Sequence, residues 1–173
     1  GLARGIRLAV PPGGGVRPTE DKVKESLFGT LGDLRGASVL DLFSGSGALG
    51  LEALSRGAAR VVMVERSPGH AAVIHENLSA VLKSMAPNPA GKATLRVEDA
   101  RRCAERLPEG ESFDVILADP PYHTGEGDYG ARELLLDERW MRFTHPGTIL
   151  ALEHATEIRN LPWAPNSRWR LLK

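Results

Sequence analysis

The chain has little of what marks several protein classes. Cys103 is its single cysteine, so no disulfide can form within it, and a reduced compartment fits. Cys103 lies among Arg101, Arg102, Ala104 and Glu105 in an expected helix, and no reactive role is expected of it. No run of eighteen apolar residues occurs and the N-terminus lacks a signal-peptide pattern, so the expectation is a cytoplasmic protein without a membrane span. His70, His75, His123, His145 and His154 show no metal-site spacing, and no metal is expected. Trp140, Trp163 and Trp169 read as core or tail packing rather than stacking platforms. Net charge is absent too: 22 basic residues balance 22 acidic ones, which counts mildly against a nucleic-acid enzyme. The distribution is less neutral than the sum. Residues 1–18 carry Arg4, Arg7 and Arg17 and no acid, and the tail carries Arg159, Arg168, Arg170 and Lys173 against Glu157. Such ends suit either a phosphate backbone or solvent.

What is present is an ordinary globular composition, with 42% hydrophobic and 25% charged residues in 173 positions, enough for one domain. Residues 1–18 are Gly- and Pro-rich and read as a flexible arm or loose hairpin, with a single globular domain over 19–173. Thr19 is an N-cap candidate for a helix whose apolar face is Val23, Leu27 and Leu31 and which ends near Gly32. Strands are expected at Ser38–Phe43, Arg60–Glu65, Ala93–Val97, Phe113–Ala118 and Thr148–Glu153, with a sixth at Trp169–Leu172. Helices alternate with them at Ser46–Arg56, from Pro68 with Ser67 as its cap to about Ser84, at Ala100–Leu107 and at Ala131–Arg142. Val-, Ile- and Leu-rich strands separated by helices predict an α/β fold with a doubly wound, mostly parallel sheet.

Two motifs carry chemistry. The first is Asp119-Pro120-Pro121-Tyr122, directly after the strand that ends at Ala118. The prolines lack N–H groups and fix φ, leaving a carboxylate, outward carbonyls and an aromatic ring. A planar amine can donate to the Asp119 carboxylate and the Pro120 carbonyl while its ring lies on Tyr122. An ordinary Pro-Pro turn ending a strand uses the same residues.

The second motif is Asp41-Leu42-Phe43-Ser44-Gly45-Ser46-Gly47-Ala48-Leu49-Gly50, with Glu65 closing the next strand. Gly45 to Gly50 matches G-x-G-x-x-G, and on spacing alone a nicotinamide-dependent oxidoreductase is a rival reading. Asp41 argues against it, because a carboxylate before the loop repels a pyrophosphate and attracts an ammonium or sulfonium. S-adenosylmethionine carries both cations, and Glu65 can accept from its ribose hydroxyls. Asp99, ending the third strand, suits either an adenine amino group or a helix cap. If the fourth strand lies beside the first, the glycine loop and the Asp-Pro-Pro-Tyr shelf face each other across one crevice.

With Arg17-Pro18-Thr19, Asp21, Val23, Lys24, Glu25, Leu27 and Phe28, and with the block from Asp41 to Ala58, these motifs resemble one family. It is the RsmD family of bacterial 16S rRNA guanine-N2 methyltransferases, within the S-adenosylmethionine-dependent superfamily. The matched blocks span roughly residues 4 to 153. At the two ends the chain departs from the family, whose members add residues before Gly1 as a hairpin and a final strand after Lys173.

The resemblance implies a Rossmann-like sheet of up to seven strands. It also implies methyl transfer from S-adenosylmethionine, leaving S-adenosylhomocysteine, to the N2 amine of one guanine in small-subunit rRNA. The implied cofactor contacts are Thr19, Asp41, Phe43, Ser44, Gly45, Ser46, Gly47, Glu65, Arg66, Asp99, Ala100 and Asp119. Asp119, Pro120, Pro121 and Tyr122 form the implied catalytic shelf, and Arg17, Lys24, Tyr122 and His123 the RNA contacts. His123 to Gly127 reads as a polar substrate lid. A monomer is expected. Three alternatives stay open on the residues alone: an adenine-N6 or other amino methyltransferase, an NAD(P)-dependent oxidoreductase, and a catalytically silent RNA-binding module.

Overall fold

The computed structural model describes residues 2–3, 5–11, 21–86, 91–121, 128–154, 164–165 and 167–171. Five parallel strands form its sheet: β1 (Ser38–Leu42), β2 (Arg60–Glu65), β3 (Lys92–Val97), β4 (Val115–Ala118) and β5 (Ile149–Leu152). Their spatial order is β3-β2-β1-β4-β5, so the order reverses between β1 and β4. The helices are α1 (Asp21–Leu31), α2 (Ala48–Ser55), α3 (Pro68–Met85), α4 (Ala100–Arg106) and α5 (Ala131–Leu136), with a 3-10 turn at Glu138–Phe143.

Strand alternation decides which face each helix covers, because successive side chains point to opposite sides of a sheet. Val39, Val61, Met63, Val115 and Leu117 join one core with Phe28 of α1, Leu51 and Leu54 of α2 and Ile74 and Val81 of α3. Leu40, Leu42, Val62, Val64 and Ile116 join the other with Cys103 and Ala104 of α4, Leu134 of α5 and Trp140 and Phe143. Both faces are covered, which is why residues 61–64 of β2 and Val115–Ala118 of β4 read as continuous apolar runs, and β1 as one interrupted by Asp41. Helix boundaries follow local chemistry. Ser67 accepts from the His70 N–H at the start of α3 with Pro68 at the first helical position. At the end of α2 the Ala58 N–H reaches Ala53 O and the Gly57 N–H reaches Leu54 O, the paired bonds of a Schellman stop.

Five expectations need correction. On α1 Val23 is 46% exposed, and the face that packs is Leu27, Phe28 and Leu31, with the Arg56 guanidinium 4.9 Å over the Phe28 ring. α2 begins at Ala48 rather than Ser46, because Gly47 stands at φ 81 and is outside helical geometry. The helix expected over Ala131–Arg142 breaks at Asp137, whose extended backbone ends α5 and whose carboxylate caps the 3-10 turn at Arg139 N. Trp169–Leu171 forms no strand; Trp169 packs half-buried against the second core, and Leu172 is outside the described residues. The arm, expected to be loose, docks where it is described. Leu2 N donates to Ser55 O at 2.7 Å, Ala3 N to Ser55 Oγ at 2.8 Å, and Ile6 and Leu8 pack on the first core.

Among the described residues no helix is long and apolar enough to cross a membrane. None of their buried side-chain nitrogen or oxygen atoms lacks a partner.

Candidate active site

Because β1 and β4 are neighbours with Leu42 opposite Ala118, the segments leaving them start side by side. The glycine loop leaves β1 and the Asp119-Pro120-Pro121 turn leaves β4, at the point where the strand order reverses. Ligands of open α/β sheets bind there, outside the carboxyl ends of the strands. The condition set by the sequence, the fourth strand lying beside the first, therefore holds.

The loop is tied to the sheet by buried polar groups. Ser44 N donates to Val64 O at 2.9 Å, and Ser44 Oγ donates to Asp41 O at 2.8 Å while accepting from Val64 N at 3.1 Å. Gly45 N donates to Glu65 Oε2 at 2.8 Å, and the other Glu65 oxygen accepts from Ser67 N at 2.8 Å. Asp41 Oδ2 accepts from Gly50 N at 2.9 Å. The approach of α2 to β1 and β2 is close enough to require glycine. A Cβ on Gly50 would stand 2.8 Å from Met63 Cγ and 2.9 Å from Asp41 Oδ2.

The electrostatics are acidic. Asp41 is 1% exposed, and burial first, then the charges of Asp119 and Glu65, push its carboxyl up to about 7 against the opposing bonds from Gly50 and Ser44. Asp119 and Glu65 thus lie near enough to Asp41 to act on it, which concentrates acidic groups around the loop. That set repels a pyrophosphate and suits a ligand with positive charge. Among the described residues no group of three or more His, Cys, Asp or Glu is arranged to hold a metal ion.

Phe43 follows β1 with φ 63, the one non-glycine at positive φ among the described residues. A bulky side chain there costs on the order of 1–3 kcal/mol and is a functional signal. Its ring stacks on Tyr129, centroids 6.4 Å apart, and the Arg101 guanidinium lies 5.3 Å over Tyr129. Tyr129 is held in turn: its hydroxyl donates to Asp137 Oδ2 at 2.6 Å and accepts from Trp140 Nε1 at 2.7 Å. Burial and the Asp137 carboxylate push the Tyr129 phenol up, so it stays neutral.

Asp99 caps α4, accepting from Arg101 N at 2.8 Å, with Ala100 buried behind it and Glu98 N bonded to Glu65 O at 3.1 Å. Arg66 is exposed next to Glu65, and Lys24 is half-buried on α1. Asp119 is half-buried, Pro120 buried and Pro121 exposed. Arg17, Thr19, Tyr122, His123, the expected lid and Trp163 lie outside the described residues. Cys103 is fully buried and its thiol is pushed up to about 12, by burial first, in agreement with an inert role.

The sequence reading missed Tyr129 and Asn77. Tyr129 left no signal in the sequence. Asn77 did leave one: it interrupts the stripe Ile74–Asn77–Val81 on the buried face of α3, where an apolar residue belongs.

The family model described as Conserved hypothetical protein 95 matches residues 1–172. The ribosomal RNA small subunit methyltransferase D of Escherichia coli strain K12 is 39% identical over 173 residues, covering 99% of this chain and 79% of that protein. The protein of the same name from Haemophilus influenzae is 33% identical over 174 residues, covering 100% of this chain and 84% of its own length. A solved structure of a hypothetical protein from Thermus thermophilus superposes with a TM-score of 0.71 at 28% identity, covering 99% of this chain and 90% of that one. On its sequence match and its fold alike, the chain belongs to the Conserved hypothetical protein 95 family, the RsmD family of small-subunit ribosomal RNA methyltransferases.

Proposed function

We propose that the protein transfers a methyl group from S-adenosylmethionine to the exocyclic N2 amine of a guanine in 16S rRNA, within an assembling or assembled small subunit. The observation that carries this is the acidic crevice at the reversal of strand order: Asp41, Glu65 and Asp119 beside a glycine loop, with Asp41 pushed up to about 7. A dinucleotide pyrophosphate would meet repulsion there, whereas a sulfonium and an ammonium favour it. The relatives named as small-subunit rRNA methyltransferases support the substrate class.

When bound, S-adenosylmethionine supplies an electrophilic methyl group on sulfur. Asp41 and the loop Phe43–Gly47, together with Glu65, Arg66, Asp99 and Ala100, are the residues that would hold it, with Thr19 of the arm–α1 junction. Asp119 and the Pro120 carbonyl accept the two hydrogens of the guanine amine. That localises a lone pair otherwise delocalised into the ring and aims it along one direction. Positioning of this kind supplies much of the rate. Asp119 need not act as a base first, since the methylated ammonium loses its proton readily afterwards. Tyr122 stacks on a base splayed from an RNA loop, His123 is a further RNA contact, and Arg17 and Lys24 take phosphates. The working form is a monomer in the cytoplasm, with residues 1–18 as an arm beside the catalytic body 19–173.

The test is methyl transfer from labelled S-adenosylmethionine to undermethylated small ribosomal particles and to naked 16S rRNA, followed by digestion and identification of the labelled nucleoside. The expected product is N2-methylguanosine. Labelled N6-methyladenosine would move the substrate to adenine. Binding of NAD(P) without binding of S-adenosylmethionine would overturn the class.

A further inference from the structure

Asn77 is polar on the apolar face of α3 and only 3% exposed. A buried primary amide must find partners for one acceptor and two donors. All are found, and in two places. Asn77 Oδ1 accepts from Ala9 N at 2.7 Å, Nδ2 donates to Ala9 O at 3.0 Å, and Nδ2 also donates to Ser46 O at 2.9 Å. One side chain therefore grips both backbone groups of an arm residue and a carbonyl of the glycine loop.

The loop contact has leverage. Ser46 C=O and Gly47 N–H belong to one peptide unit, and that N–H donates to Ser44 O at 2.6 Å. The peptide plane is thus pinned at both ends just before Gly47 turns to φ 81. A Cβ on Gly47 would also lie 3.3 Å from Ile74 Cγ2, one turn before Asn77 on the same helix. The arm next to Ala9 alternates, with Gly5, Arg7 and Val10 exposed and Ile6 and Leu8 half-buried, so its register decides which groups it offers to solvent.

We infer that Asn77 is a positioning residue that couples the N-terminal arm to the glycine loop. Docking of Ala9 orients the amide whose Nδ2 fixes the Ser46–Gly47 peptide, so arm attachment and ligand binding at the loop strengthen each other. Such coupling is reciprocal, and ligand at the loop also tightens the arm. The ligand part rests on the proposed cofactor site; the coupling itself belongs to the ligand-free protein.

The experiment is amide hydrogen exchange by NMR on the full chain, paired with calorimetric titration of S-adenosylhomocysteine. Ala9→Pro removes the N–H that donates to Asn77 and leaves Asn77 and the loop sequence intact. Asn77→Asp keeps the acceptor for Ala9 N but sets an oxygen against two carbonyls, a repulsion relieved when acid protonates it. In both variants the Gly47 amide should exchange about five- to ten-fold faster, the worth of one net hydrogen bond. The affinity for S-adenosylhomocysteine should fall by a similar factor, and lower pH should restore Asn77→Asp alone. If Asn77 merely satisfied itself in the core, Gly47 exchange would stay at the wild-type rate in Ala9→Pro, and that result overturns the coupling. Faster exchange with unchanged affinity overturns the link to the ligand. A wild-type protein that binds no S-adenosylhomocysteine overturns the cofactor site, while the Gly47 exchange rates still decide the coupling.

Discussion

At the scale of single residues, the proposed site rests on carboxyl groups in unequal surroundings. Asp119 is half-buried at the mouth of the crevice, whereas Asp41 is enclosed beneath the loop. Asp119→Ala should lower methyl transfer by about 10³-fold, the scale of losing one preorganised polar contact to the reacting group. Its affinity for S-adenosylmethionine should stay within about threefold, because a partly exposed charge is screened. Wild-type turnover in that variant would sink the proposed role. Asp41 has a pH signature instead. Its folded carboxyl is raised to about 7 from 3.8, so the folded state holds a proton that the unfolded chain has released. The stabilisation is complete below the unfolded value and is lost as pH rises through about 7. Thermal melts of the ligand-free protein should therefore fall from about pH 5 to about pH 8, and Asp41→Asn should flatten that slope. Cationic ligand favours the ionised form, so affinity for S-adenosylmethionine over S-adenosylhomocysteine should climb across the same range. A ratio indifferent to pH would remove Asp41 from contact with the sulfonium charge.

Elements position these groups with small tolerances. The glycine loop and α2 press on β1 and β2 so closely that Gly50→Ala would force Met63 or Asp41 aside. A loss of about 1–3 kcal/mol in denaturant unfolding is expected, as for other overpacked sites. Because the Asp41–Gly50 bond is disturbed, ligand affinity should drop as well. Tyr129→Phe separates stability from binding. It removes the hydroxyl that joins Asp137 to Trp140 and leaves the ring face on which Phe43 stacks. Stability should fall by about 1–3 kcal/mol, since a buried acceptor and donor lose their partner. Affinity at the loop should hold, and a large drop in it would mean the hydroxyl does more than brace the aromatic pair. The break at Asp137 belongs to this scale. Its carboxylate serves Arg139 N, the Arg139 guanidinium and the Tyr129 hydroxyl together. Burial alone would raise that carboxyl, but these bonds hold it below its ordinary value.

For the whole molecule, net charge is zero, so attraction to RNA has to come from local cations rather than from an overall field. Lys24→Ala should weaken binding to small-subunit RNA and make the dependence of log K on log salt shallower by about one phosphate contact. An unchanged slope would leave Lys24 out of the interface. The two chemical segments, far apart in sequence, face one crevice only because β4 inserts beside β1. Their convergence is a property of strand order.

The sequence by itself determined the alternation of apolar strands and helices, and with it the parallel sheet covered on both faces. It also placed the glycine loop after β1, Glu65 at the end of β2 and the acid shelf after β4, because these follow from local pattern and turn chemistry. Even the cap at Ser67 and the limits of β2 were legible. Long-range contacts were left to the tertiary structure. It alone decided that Asp41 bonds Gly50 rather than solvent, that Tyr129 meets Phe43, and that Asn77 joins Ala9 to Ser46. The helix broken at Asp137 and the exposed Val23 have the same origin. Periodicity reports which residues share a face, but burial depends on what packs against that face. A polar residue on an apolar stripe, such as Asn77, is visible in the sequence, but a partner 68 residues away leaves no local trace.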